Sequence, residues 1–380
     1  FESSGQSVSN AGDVNGDGFD DVIVGAHGAL LNGSNSGFSY VVFGKASGFS
    51  AAMDLSTLNG SNGFRLNWGA RENVFSNESV SNAGDVNGDG FDDVIVDSPF
   101  ADPNGGNSGS SFVVFGKASG FSPVMDLSSL NGSNGFRLNG EMSGDFSGSS
   151  VSTAGDVNGD GFDDLIVGAP NADSNDFGSG SSYVVFGKAS GFSAAMDLSS
   201  LNGSNGFRLD GVANRDYSGE SVSTAGDVNG DGFDDVIVGA TRADPNGESS
   251  GSSYVVFGQA SSFSATMDLS SLNGSNGFRL DGVTADIYSS ESISNAGDVN
   301  GDGFDDLIVG APFAVSNGYH SGSSYVVFGK AFGFSATMDL STLNGSNGFR
   351  LDGEAAGDWS GISVSTAGDV NGDGFDDLIV

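Results

Sequence analysis

The nine residues Asp13-Val14-Asn15-Gly16-Asp17-Gly18-Phe19-Asp20-Asp21 recur unchanged from Asp85, Asp156, Asp227, Asp298 and Asp369. Successive copies lie 72, 71, 71, 71 and 71 residues apart, which makes the chain an internal repeat before it is anything else. Between copies the same landmarks return in order: VVFG ending at Gly44, Gly116, Gly187, Gly258 and Gly329, then NGSNGFRL ending at Leu66, Leu138, Leu209, Leu280 and Leu351. Five full units and the start of a sixth are present, giving blades over residues 1–76, 77–148, 149–219, 220–290 and 291–361 and a partial blade over 362–380.

Within a unit the apolar patches are short and bounded by Gly, Asn and Ser, the pattern of strands of about five residues. In the first unit these strands fall near Ser7 to Val14, Asp20 to Ala26, Ser39 to Gly44 and Gly63 to Asn67. SVSNAGDV is built of small residues, whereas VIV and YVVF are bulky and β-branched, so the first strand suits a crowded inner position where neighbouring sheets converge. An all-β fold follows: a β-propeller of four-stranded antiparallel blades, five complete and a partial sixth. A parallel β-helix is the alternative, but it needs a shorter period than any found here. By count the chain is about two blades short of seven, and an open piece of a larger ring is expected, with apolar end faces that favour self-association.

Of 380 residues 64 are Gly, and 49 Asp and Glu stand against 12 Lys and Arg, a formal charge of −37. Such a polyanion repels nucleic acid and anionic membrane surfaces and attracts cations. The 30 Phe give the chain a core to bury, and the absence of Cys excludes disulfides, thiolate metal sites and a Cys nucleophile. No apolar run approaches the roughly 18 residues that span a bilayer, so membrane insertion is not expected; an export signal is expected to lie outside these residues.

The nonapeptide has the chemistry of a calcium loop. Calcium takes six to eight hard oxygen ligands, which alternate positions of a short acidic loop can supply. In the first copy these are the side chains of Asp13, Asn15, Asp17 and Asp21 with the carbonyl of Phe19, while Gly16 and Gly18 allow the tight turn. An EF-hand loop needs an acidic twelfth residue, and that place is held by Val24, so Asp21 must close the shell. The ion-free reading is an acidic turn tied by Asx-type backbone hydrogen bonds.

With Phe43-Gly44 and its later equivalents, Gly168-Ala169-Pro170, Gly310-Ala311-Pro312 and the loop in hand, the sequence resembles the FG-GAP repeats of integrin α-subunit propellers and bacterial surface proteins. The resemblance implies a calcium-bearing propeller, seven-bladed in integrins, used in adhesion and recognition outside the cell, and places this chain among secreted or cell-surface proteins. It carries the metal roles to Asp85, Asn87, Asp89, Phe91 and Asp93; to Asp156, Asn158, Asp160, Phe162 and Asp164; and to Asp227, Asn229, Asp231, Phe233 and Asp235. It does the same at Asp298, Asn300, Asp302, Phe304 and Asp306 and at Asp369, Asn371, Asp373, Phe375 and Asp377, the Phe in each set contributing its carbonyl and each loop holding one Ca2+. The Gly-Ala-Pro departs to His27, Asp97-Ser98-Pro99 and Thr241, which alters the turn after the second strand.

Other periodic residues have simpler expectations. Arg65, Arg137, Arg208, Arg279 and Arg350 suggest a partner in an equally periodic Asp such as Asp20 or Asp54. His27 and His320 do not recur, and Trp68 and Trp359 follow the fourth strand, where a glycan-stacking platform is conceivable. Two stretches vary between units: HGALLNGSNSG from His27 against PFADPNGGNSG from Pro99, and NWGARENVFSNE from Asn67 against NGEMSGDFSG from Asn139. In an antiparallel blade these 2–3 and 4–1 connections share one face, opposite the calcium loops, and a protein or glycan ligand is expected there. The expected role is adhesion or ligand recognition without catalysis. The alternatives are an enzyme or enzyme-accessory domain acting on polysaccharide, which would need a unique acid pair, and a structural spacer.

Overall fold

The computed structural model describes residues 3–27, 30–31, 34–35, 37–68, 79–260 and 263–380. They form two compact units, one of Phe1–Thr153, Gly161–Val167 and Val185–Leu201, the other of Ala154–Asp160, Gly168–Val184 and Asn202–Val380.

In the first unit the strands Ser3–Gly12, Asp21–His27, Phe38–Val42 and Gly63–Asn67 pair in chain order, all antiparallel. The next sheet repeats this with Val80–Gly84, Asp93–Ser98, Ser110–Val114 and Gly135–Asn139. In the second unit Ser221–Gly226, Asp235–Ala240, Ser252–Val256 and Gly277–Asp281 do the same, as do Ile293–Gly297, Asp306–Ala311, Ser323–Val327 and Gly348–Asp352. Ser150–Gly155, Asp164–Ala169, Ser181–Val185 and Gly206–Asp210 are the corresponding strands of the third repeat, and Ser365–Gly368 pairs with Asp377–Ile379 in a small sixth sheet. This is the all-β blade architecture of a β-propeller, with the expected four antiparallel strands per unit. The first strand ends two residues before the expected Val14 because Gly12, at φ 67°, turns the chain into the loop.

A fifth strand was not read from the sequence. Val124–Asp126, which lies between the third and fourth strands of its own repeat, crosses back and pairs in parallel with Arg65–Asn67 of the preceding sheet. Ala195–Asp197, Thr266–Asp268 and Thr337–Asp339 do likewise. Each of these straps also lays a Phe on the preceding fourth strand: Phe121 on Phe64, Phe192 on Phe136, Phe263 on Phe207 and Phe334 on Phe278, with centroids 4.4–4.7 Å apart and planes within 13°. A repeat therefore completes its sheet and its core only with its successor in place.

Strand alternation is lost where both faces of a sheet are covered: every residue of Asp93–Ser98, Asp235–Ala240 and Asp306–Ala311 is buried. In the first sheet Val22 keeps 46% of its surface exposed. First strands of successive sheets touch through small residues, with the backbone N–H of Val80 donating to Ser7 Oγ at 3.1 Å and that of Val364 to Ser292 Oγ at 3.0 Å. A larger side chain at those serines would separate the sheets.

Candidate metal loops and ligand face

Each loop turns around its first aspartate. Asp13 Oδ1 accepts the backbone N–H of Asp17 at 3.0 Å and Oδ2 that of Gly18 at 2.8 Å, while Asp17 Oδ1 accepts the N–H of Phe19. Asp21, at the ninth position, is buried; it accepts the N–H groups of Val14 and Gly44 and the side-chain amide of Asn15 at 3.4 Å. The arrangement recurs from Asp85, Asp227, Asp298 and Asp369. The third loop has Asp156, Asn158 and Asp160 in one compact unit and Phe162 and Asp164 in the other.

Burial pushes four of the ninth-position carboxyls up, and the like charges at the first and fifth positions push them further. Asp21 rises to about 7, Asp93 to about 9, Asp235 to about 8 and Asp306 to about 7, even though backbone N–H donors oppose the rise. An acid whose folded pKa lies above its unfolded value near 4 weakens the fold as it ionises, so its penalty grows from about pH 4 up through the folded pKa. In chelator, the melting temperature is expected to be several degrees lower at pH 9 than at pH 6. A profile flat across that range would contradict the burial of these four carboxyls.

The loops offer a hard cation the right donors: three carboxylates, an amide and a backbone carbonyl. Asn87 Nδ2, at the third position of the second loop, is buried without a hydrogen-bond partner, and turning that amide over would present an oxygen instead. The Asx-type bonds of the ion-free reading are also present. Among the described residues no three Asp, Glu or His side chains stand as a finished metal shell. The donor set fits calcium; a closed shell requires the loop carboxylates to gather.

The eighth-position aspartate has a role that the sequence did not disclose. Asp92 Oδ2 accepts the backbone N–H of Asp13 in the preceding loop at 2.7 Å, and Asp163 does the same for Asp85. Asp234, Asp305 and Asp376 serve Asp156, Asp227 and Asp298 at 2.8–2.9 Å. The expectation that Asp20-type residues partner the periodic arginines is therefore corrected. Arg208, Arg279 and Arg350 pair with the aspartate two residues on, Asp210, Asp281 and Asp352, at 2.6–2.7 Å. GFRLD against GFRLN was the available signal. Where Asn139 replaces that aspartate, Arg137 acts instead on Asp197, an Asp54-type residue of the next repeat that the amides of Asn139 and Asn104 already hold below the usual carboxylate range.

The family model for the FG-GAP repeat matches residues 4–42, 76–114, 147–185, 218–256 and 291–327, in each case the first three strands of a sheet with their loop. The chain belongs to the FG-GAP repeat family. It is 32% identical to integrin alpha-PS5 of Drosophila melanogaster over 183 residues, 47% of this chain and 16% of that protein. It is 32% identical to integrin alpha-4 of Xenopus laevis over 46% of this chain and 15% of that protein, and 29% identical to integrin alpha pat-2 of Caenorhabditis elegans over 63% and 18%. The FG-GAP chain thus spans less than a fifth of the length of these relatives.

On the other face of the FG-GAP sheets, the variable stretches prove partly constant. Asn104, Asn175, Asn246 and Asn317 each donate to the carbonyl of a glycine in the 4–1 connection, Gly140, Gly211, Gly282 and Gly353, at 2.8–2.9 Å. Residues 28–29, 32–33 and 36 of the variable stretch from His27 and residues 69–78 of that from Asn67 lie outside the described residues. In the later repeats one 4–1 position is always aromatic and left-handed: Phe146, Tyr217, Tyr288 and Trp359, at φ 47–55°. Trp359 belongs to a cluster with Phe313, His320 and Tyr319, and Tyr288 packs on Phe313. Trp68 does not form a platform, since its ring packs edge-on against Phe112 at 4.7 Å.

Proposed function

We propose that this FG-GAP chain is a calcium-stabilised propeller segment of a secreted or cell-surface protein that recognises a protein or glycan ligand on the face of its 2–3 and 4–1 loops. One observation carries the ligand reading. In the loop from Pro312 the chain abandons its own repeat: Val315 stands where Asp102, Asp173 and Asp244 hold their loops by accepting a backbone N–H. Val315 is 62% exposed, Tyr319 73% and Trp359 44%. Giving up a loop-holding hydrogen bond to expose apolar and aromatic surface is the pattern of a contact site, where rigid aromatic rings supply area at low entropic cost.

Membership of the FG-GAP family and the integrin alpha relatives support recognition over catalysis. Glu220 and Glu291, two of the acids that interact on this side, occupy the same position in successive repeats and so recur with the fold, unlike a unique catalytic pair. Among the described residues no helix is long and apolar enough to cross a membrane. The test is binding to arrays of immobilised glycans and extracellular-matrix proteins. Tyr319→Ala with Trp359→Ala is expected to weaken a hit at least tenfold at unchanged melting temperature, a loss of about 1.4 kcal/mol or more. Binding unaffected by the pair would overturn the site.

A further inference from the structure

The eighth-position aspartates form a periodic series of their own, and each serves the loop before it. Asp305 Oδ2 accepts the Asp227 backbone N–H at 2.8 Å, and the Asp305 N–H donates to the Asp227 carbonyl at 3.3 Å. Asp227 is the first residue of the preceding loop, and its carboxylate gathers the N–H groups of Gly230, Asp231 and Gly232 at 2.7–3.0 Å. Two more ties join the same pair of repeats. The ring of Phe304 lies so close over Gly230 that a Cβ there would overlap it, and the Lys330 N–H donates to the Val228 carbonyl at 2.9 Å. Gly226, at φ 68°, leaves the room that the Asp305 carboxylate occupies. The pattern returns at Asp376 on Asp298, at Asp92 on Asp13 and at Asp163 on Asp85.

We infer that Asp92, Asp163, Asp234, Asp305 and Asp376 are positioning residues that couple cation binding between successive loops. The inference rests on the calcium reading above. An ion held by the loop from Asp227 would fix the backbone of Asp227, and that backbone holds Asp305. Asp305 in turn is flanked by Phe304 and Asp306, two of the donors proposed for the following loop. Filling one loop therefore removes part of the ordering entropy that the next must lose, which is positive coupling between neighbours.

Calorimetric titration of Ca2+ into the 380-residue chain and into Asp305→Ala and Asp305→Asn tests this, with circular dichroism as the check on folding. The unaltered chain is expected to bind with a Hill coefficient above 1. Asp305→Ala is expected to lower that coefficient and to weaken binding about fivefold or more. Asp305→Asn keeps an oxygen for the Asp227 N–H, so it should keep the cooperativity even though the lost charge weakens affinity. A non-cooperative isotherm for the unaltered chain overturns the coupling and leaves the calcium reading intact, as does identical cooperativity in the Ala and Asn variants. Absence of any Ca2+ binding would instead remove the calcium reading itself.

Discussion

Chelating calcium is expected to lower the melting temperature of this chain by about 10 °C or more, with the loss restored by added Ca2+ and not by Na+. A ligand that binds only the folded state stabilises it by about 2.7 kcal/mol at a hundred times its Kd, and here as many as six sites would contribute. Electrostatics acts in the same direction. Six divalent ions would bring the formal charge from −37 to −25, relieving repulsion concentrated in loops that each place four aspartates within nine residues. Burial raises the Asp93 and Asp235 carboxyls, and the like charges at the first and fifth positions of their loops add to the rise. Differential scanning calorimetry with and without chelator decides it: an unchanged transition would remove the calcium reading.

Phe278→Ala is expected to cost about 3–5 kcal/mol, the range for deleting a buried aromatic ring. Phe278 is 1% exposed, stacks on Phe334 at 4.7 Å and meets Phe257 at 5.9 Å. The stack joins two repeats, since Phe334 comes from the strap of the following one, and the change should loosen that strap and its parallel strand Thr337–Asp339. Hydrogen exchange should report the loss locally, because repeat architectures couple mainly to nearest neighbours. Urea denaturation showing a loss below about 1 kcal/mol, or exchange rising equally in the sheet of Ser3–Gly12, would contradict a strap that bears load.

The sequence determined by itself what depends on period and on chemistry at fixed spacing. Repetition of DVNGDGFDD, VVFG and GFRL fixed the number of units, their four antiparallel strands and the acidic loops, because each is specified by residues near one another in the chain. Tertiary structure decided everything that joins one repeat to the next. The strap strand Val124–Asp126 is three residues with no alternation to read, and its pairing depends on an edge offered by the previous sheet. Nothing in the nonapeptide separates Asp92, which reaches into the preceding loop, from Asp93, which closes its own, until the chain is folded. Nor does the sequence tell Trp68, turned against Phe112, from the exposed Trp359. Identical side chains one residue apart, or equivalent ones in different repeats, acquire different roles through contacts some 70 to 80 residues distant, and those contacts exist only when sheets are stacked.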